Sequence, residues 1–180
     1  MNPLTYSLCQ KPVIGLIMFA SGLCVFPPLF QDESLPLQQA GASLVKEFNV
    51  PVSKLYFLEI GFEFPSAASI RSDEVAGERY DANCERDYAD IPLAQRTGLG
   101  RPIPIHVLVR EKISGNVTMD KVFNSLCIIY SAADPFRKAR TVGRLDLPEG
   151  KYVIEVDNIA GQTGLDGVKT TVSLVAGHGK

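Results

Sequence analysis

Residues 54–64 have the sequence KLYFLEIGFEF, which decides the fold class. The stretch alternates between the two faces of an extended chain. One face carries Tyr56, Leu58, Ile60, Phe62 and Phe64, and the other carries Glu59, Gly61 and Glu63. This pattern predicts a half-buried strand, with the first face in a hydrophobic core and the second towards solvent.

The same period of two recurs on both sides of this stretch. Further strands are predicted at residues 44–50, 103–109, 121–130, 143–147, 151–159 and 168–175. Turn residues at 114–116 (SGN) and 148–150 (PEG) separate two pairs of these strands. About seven short strands without an internal repeat predict an all-β fold. We expect one immunoglobulin-like antiparallel β-sandwich domain over residues 31–180, with Tyr152 as a core tyrosine at the corner that opens a late strand.

Residues 65–102 interrupt the alternation and form what we call the excursion. Acidic and basic residues are mixed densely over residues 71–90. We expect a long surface loop, or a short helix over residues 69–80. Connections of this length in a compact domain are often functional. The candidate partner-binding residues are Asp73, Glu74, Glu78, Tyr80, Asp81, Glu85, Asp87, Tyr88 and Asp90. The alternative is a solvated loop without a partner.

The N-terminal 30 residues predict export. Lys11 is followed by the uncharged run 12–30, with small residues at Ala20 and Gly22 before a cleavage point. The predicted signal helix over residues 1–30 has three fates: a cleaved signal peptide, an uncleaved membrane anchor, or lipidation at Cys24. Each makes the rest of the chain an envelope or secreted domain, either free or tethered to the membrane through residues 1–30.

Composition and motifs favour a binding protein over an enzyme. The formal net charge of −2 argues against nucleic acid as a partner. The Ser43/Lys46 spacing lacks the companion motifs of a serine acylase, and residues 81–92 lack the glycine and glutamate of a calcium loop. No catalytic residue, metal ligand or cofactor is therefore predicted. An oxidising compartment would allow one disulfide between Cys84 and Cys127; the alternative is a buried Cys127 and a free Cys84.

Several blocks of this chain resemble a family of small exported bacterial proteins, often lipoproteins, known only as a domain of unknown function. The blocks are YFLEIGFEF, RPIPIHVLV, DPFRKARTVGRLDLPEGKYVIEVDNI and GVKTTVSLVAGHGK, and the resemblance spans residues 37–180. Members of that family occur beside type VI secretion lipase effectors. The resemblance therefore implies a periplasmic immunity protein that occludes the active site of such a toxin. The alternative is a non-enzymatic envelope module that binds carbohydrate or peptidoglycan through Leu55 and Phe57, which the alternation places outward.

Overall fold

The chain folds as a two-layer antiparallel β-sandwich. The computed structural model describes residues 3–9, 11, 14, 26–79, 88–125, 127–129 and 134–176. Within them, nine strands form a five-stranded sheet of order β1-β9-β3-β7-β6 and a four-stranded sheet of order β2-β8-β4-β5. The strands are β1 Phe30–Ser34, β2 Ser43–Val50, β3 Lys54–Glu63, β4 Ile103–Glu111, β5 Val117–Ser125, β6 Cys127–Ile129, β7 Arg137–Leu147, β8 Gly150–Asn158 and β9 Lys169–Ala176. The predicted all-β sandwich is confirmed.

Strand β3 lies at the centre of the five-stranded sheet, between β9 and β7. The side chains of Tyr56, Leu58, Ile60 and Phe62 are fully buried, as the alternation predicted. They pack against Ile103, Ile105, Val107 and Val109 of β4 and against Tyr152, Ile154 and Val156 of β8 in one hydrophobic core. The Tyr152 hydroxyl donates a hydrogen bond to the Pro148 carbonyl at 3.1 Å, so the predicted tyrosine corner is confirmed.

Two predicted strands have different bounds in the structure. The single strand expected over residues 121–130 is divided between β5 in one sheet and β6 in the other, so the chain changes sheets there. An apolar run does not reveal that change, because both halves have an extended backbone. Strand β7 begins at Arg137, six residues before the predicted start, because inward-facing Lys138 and Arg140 conceal its alternation.

The sandwich begins inside the segment predicted to be a signal or anchor. Phe30 opens β1, and its ring packs edge-on against Phe48 with centroids 5.9 Å apart. The Leu29 amide donates to the Leu174 carbonyl at 2.8 Å. Residues 29 and 30, which the sequence analysis assigned to the signal or anchor segment, are therefore part of the sandwich.

The structure describes few of the residues before residue 26. Helix α1 spans Pro3–Cys9, and Cys9 is disulfide-bonded. Ala20, Gly22 and Cys24 lie outside the described residues. Among the helices that the structure describes, none is long and apolar enough to cross a membrane.

The sandwich has two ends that carry different connections. The entry end holds Phe26–Leu29, the β2–β3 turn, the β4–β5 hairpin and the β7–β8 turn, which are joined by bonds such as Lys112 N to Lys151 O at 2.8 Å. The excursion end holds the excursion together with the loops at 35–42 and 159–168. These two names are kept below.

Candidate functional site

The excursion begins with a short capped helix. Helix α2 spans Ala67–Arg71, where a longer helix over residues 69–80 was expected. The Ser66 hydroxyl accepts a hydrogen bond from the Ser69 amide at 3.2 Å, and the Ser69 hydroxyl bonds back to the Ser66 amide in a capping box. The helix ends at Ser72, immediately before an aspartate that organises the chain beyond it.

Asp73 is buried, with 9% of its surface exposed. One carboxylate oxygen accepts from the amides of Val75 and Ala76 at 2.9 and 3.0 Å. The other accepts from the Gly77 amide at 3.2 Å and from Lys138 Nζ at 2.8 Å. Asp73 was predicted to contact a partner, and this prediction is wrong for a direct surface contact, because the carboxylate is enclosed and fixes the backbone of residues 75–77.

Arg140 holds the two arms of the excursion together. Its side chain lies on the core face of β7 and is fully buried. Nη1 donates to the carbonyls of Val75 at 2.8 Å and Arg101 at 2.7 Å, one on each arm. Burial lowers the pKa of this guanidinium to about 9 and nearby Asp73 opposes the shift, so the group stays charged at neutral pH.

Two glycines allow the arms to lie against each other. Gly77 and Gly100 both have positive φ values, +84° and +76°. A Cβ atom on Gly100 would lie 2.4 Å from the Val75 carbonyl oxygen, and one on Gly77 would lie 2.7 Å from the Leu99 carbonyl carbon. Any larger residue would therefore push the arms apart.

The second arm has a small core of its own. Ile91 and Leu99 are buried together, with Tyr88 packed against them. The Arg96 guanidinium lies 4.6 Å from the Tyr88 ring centroid, and its Nε donates to the Ile91 carbonyl at 2.7 Å. Leu93 begins the short 3-10 helix Leu93–Gln95 beside this packing, and 79% of its surface is exposed. No alternation or charge pattern in the sequence marked Leu93 as a contact.

The remaining predicted partner residues fall into two groups. Glu74, Glu78 and Asp90 are exposed on the excursion, whereas Tyr88 is half-buried beneath Arg96. The others lie outside the described residues: Tyr80, Asp81, Glu85 and Asp87. Cys84 also lies outside them, so its predicted pairing with Cys127 of β6 stays a prediction. The described part of the excursion thus exposes three acids, Leu93 and two arginines, Arg71 and Arg79, so its charge is mixed with a small acidic excess.

A second charged cluster lies on the outer face of the four-stranded sheet. His106 of β4 has Nδ1 3.0 Å from Asp157 Oδ2 on β8 and Nε2 2.8 Å from Asp120 Oδ1 on β5. These two carboxylates raise the pKa of His106. The sequence analysis assigned His106 to the outward face but found no partner for it. The outward alternation of β8 could have indicated Asp157, but only the strand pairing joins all three residues.

The outer face of the five-stranded sheet carries two apolar side chains among charged ones. Leu55 is 39% exposed and Phe57 is half-buried, both outward as predicted. The Arg144 guanidinium lies 5.8 Å from the Phe57 ring centroid. Glu59, two residues further along β3, is half-buried, and burial raises the pKa of its carboxyl to about 7.

The described residues contain no group of three or more histidine, cysteine or acidic side chains placed to hold a metal ion. Ser43 and Lys46 point to opposite faces of β2, because they are three positions apart. Lys46 Nζ instead bonds Glu33 on β1 at 2.5 Å and so joins the two sheets at one side of the sandwich.

Comparisons with known proteins agree with the fold. Residues 30–176 match the model of a family described as a domain of unknown function, DUF5625. A crystal structure of a protein from Sulfurospirillum deleyianum superposes with a TM-score of 0.64 at 17% sequence identity, covering 86% of this chain and 100% of that chain. No curated protein matches the chain.

Proposed function

The chain belongs to the DUF5625 family, whose function is unknown, and we propose that it is a periplasmic immunity protein. It binds and neutralises a secreted toxin, a type VI secretion lipase effector, by covering the toxin's active site. The observation that carries the proposal is the buried attachment of the excursion through Asp73, Lys138 and Arg140. The proposal is also supported by the resemblance described in the sequence analysis, which is to a family whose members occur beside such effectors.

A surface that is ordered before binding loses less conformational entropy when the partner arrives. The exposed acids Glu74, Glu78 and Asp90 would attract a basic rim around the toxin's active-site opening and speed the encounter. Leu93 would contribute the apolar contact, because a few well-buried side chains supply most of the affinity at an interface. This division of roles requires no chemistry from the immunity protein.

The test first identifies a lipase effector gene beside the gene of this chain, and then expresses that effector in the periplasm of a sensitive strain. Glu74→Lys and Glu78→Lys together should slow association with the effector about tenfold and reduce survival, because they reverse the charge of two exposed acids on the excursion. The matched control reverses two exposed acids at or near the entry end, Asp146→Lys and Glu149→Lys, and should leave both quantities unchanged. The association rate is measured by binding of the chain to surface-immobilised effector, and protection is measured by colony counts. A wild-type chain that forms no complex with the effector would refute the proposal.

An envelope-binding module for carbohydrate or peptidoglycan is the second candidate. Leu55 and Phe57 on the outer face of the five-stranded sheet, with Arg144 beside the ring, favour it. Aromatic rings pack against sugar faces through their apolar surface. Binding of muropeptides by the wild type, lost in Phe57→Ala and retained in the Glu74/Glu78 double variant, would favour this candidate over immunity.

A further inference from the structure

The described chain enters the sandwich at the end opposite to the excursion. Phe30 pairs with Leu174, and four residues later Ser34 pairs with Thr171, so β1 runs away from the entry end. Before it, Phe26 lies against β3, with Lys54 Nζ 4.1 Å from its ring centroid. Residues 27–29 pack beside Asn49, Pro51 and Tyr56 along a shallow groove. The apolar run that precedes residue 26 in the sequence therefore connects to the entry end.

The length of the sandwich separates this end from the excursion. Strand β3 begins at the entry end with Lys54, and its tenth residue is Glu63, just before the excursion. Ten residues of strand span roughly 33 Å at about 3.3 Å per residue. Leu93 and the exposed acids are thus displaced by about the thickness of a bilayer core from the point of attachment.

The surface of the entry end is suited to lipid. Ile113 at the tip of the β4–β5 hairpin is 87% exposed, and Val117 at the base of the same hairpin is 56% exposed. Lys112 and Lys151 flank them, joined by a backbone hydrogen bond of 2.8 Å, and the Lys112 ammonium is paired with Glu47 of β2. Exposed apolar side chains beside lysines favour the membrane interface. Glu149 lies at the same end, so the electrostatic attraction is small.

We propose that the entry end rests on a phospholipid membrane surface, with Ile113 in the interfacial region and the excursion directed away from the bilayer. The proposal rests on the periplasmic function proposed above and on the tethered fates of residues 1–30, anchor or lipidation, that the sequence analysis gave beside a cleaved signal peptide. It explains why a tethered protector could still meet a toxin: attachment and recognition occupy opposite ends of one rigid sandwich. A second copy of the chain on the same hairpin is the rival occupant, which the test below separates.

The absence of tryptophan from the chain makes the test direct. Single tryptophans are introduced into the full chain as Ile113→Trp, Val122→Trp and Leu93→Trp, at the entry end, on the outer face of the four-stranded sheet and on the excursion. All three positions are exposed, so each variant should retain the wild-type circular dichroism spectrum. The proteins are recovered in vesicles containing brominated phospholipid, which quenches tryptophan emission on contact.

Quenching of Ile113→Trp alone supports the proposal. Equal quenching at Val122→Trp shows a molecule lying on its face and overturns it, as does any stronger quenching at Leu93→Trp. A blue-shifted but unquenched Ile113→Trp indicates a contact between copies, and a chain absent from the vesicle fraction has no membrane contact; both also overturn it. Survival in the toxin assay is scored separately, so a failed orientation with intact protection leaves the immunity proposal standing.

Discussion

The excursion and the outer face of the four-stranded sheet are both rich in charge, but they use it differently. In the excursion, the buried carboxylate of Asp73 accepts three backbone amide hydrogen bonds and one from Lys138. On the sheet face, partly exposed side chains pair with one another, as in His106 with Asp120 and Asp157 or Arg110 with Glu155 at 3.7 Å. The first arrangement determines the course of the backbone. The second adds side-chain contacts to a backbone whose course is already fixed by the hydrogen bonds between strands.

The strongest test of this contrast is Asp73→Asn. The change leaves the charge of Lys138 largely enclosed and without its carboxylate, and breaking such a buried pair costs about 3–5 kcal/mol in the free energy of unfolding. Urea unfolding followed by circular dichroism measures the loss. Glu74→Gln, one residue along and exposed, is the matched control and should change the free energy of unfolding by less than about 0.5 kcal/mol. Equal effects of the two variants would contradict a special role for Asp73.

The contact between the two arms is tested by Gly100→Ala. Gly100 and Gly115 have nearly equal φ values of +76° and +72°, but only Gly100 has backbone within 3 Å of the position of an added Cβ. Gly115→Ala should therefore cost about 1 kcal/mol from the backbone conformation alone. Gly100→Ala should cost about 2–4 kcal/mol, because overpacking adds to the same conformational term. Thermal unfolding of the pair separates the two causes, and similar melting temperatures would show that the arms can move apart freely.

The smallest effect is expected at the sheet face, from His106→Gln. The folded-state pKa of His106 lies above the ordinary value of 6.5, so its contribution is fully present below pH 6.5 and is lost as pH rises through the folded pKa. The stability difference between wild type and variant should therefore be larger at pH 5.5 than at pH 8.5. Urea midpoints at the two pH values measure it. A difference that grows with pH would mean that neutral His106 makes the stronger bonds.

Sequence reasoning succeeded where one local pattern controls the outcome. The alternation of residues 54–64 identified the core face of β3, and the turn before Tyr152 identified its corner. It failed where partners are distant along the chain, since Asp120 and Asp157 lie 14 and 51 residues from His106. It also could not separate Asp73 from Glu74, because adjacent acids in one charged run have the same composition signal. Only the folded loop, which places the amides of residues 75–77 and Lys138 around one carboxylate, distinguishes them.

The sequence by itself determined that this chain forms strands with one apolar face, because alternation with a period of two can bury those side chains only in a sheet. It also predicted that an uncharged run over residues 12–30 leads into the sandwich and that residues 65–102 interrupt the strand pattern. The tertiary structure alone decided which acids are enclosed, which are exposed, and that residues 26–29 and the excursion lie at opposite ends of the sandwich. Those outcomes depend on strand order and on contacts between residues far apart in the chain, and no local pattern specifies which strands become neighbours.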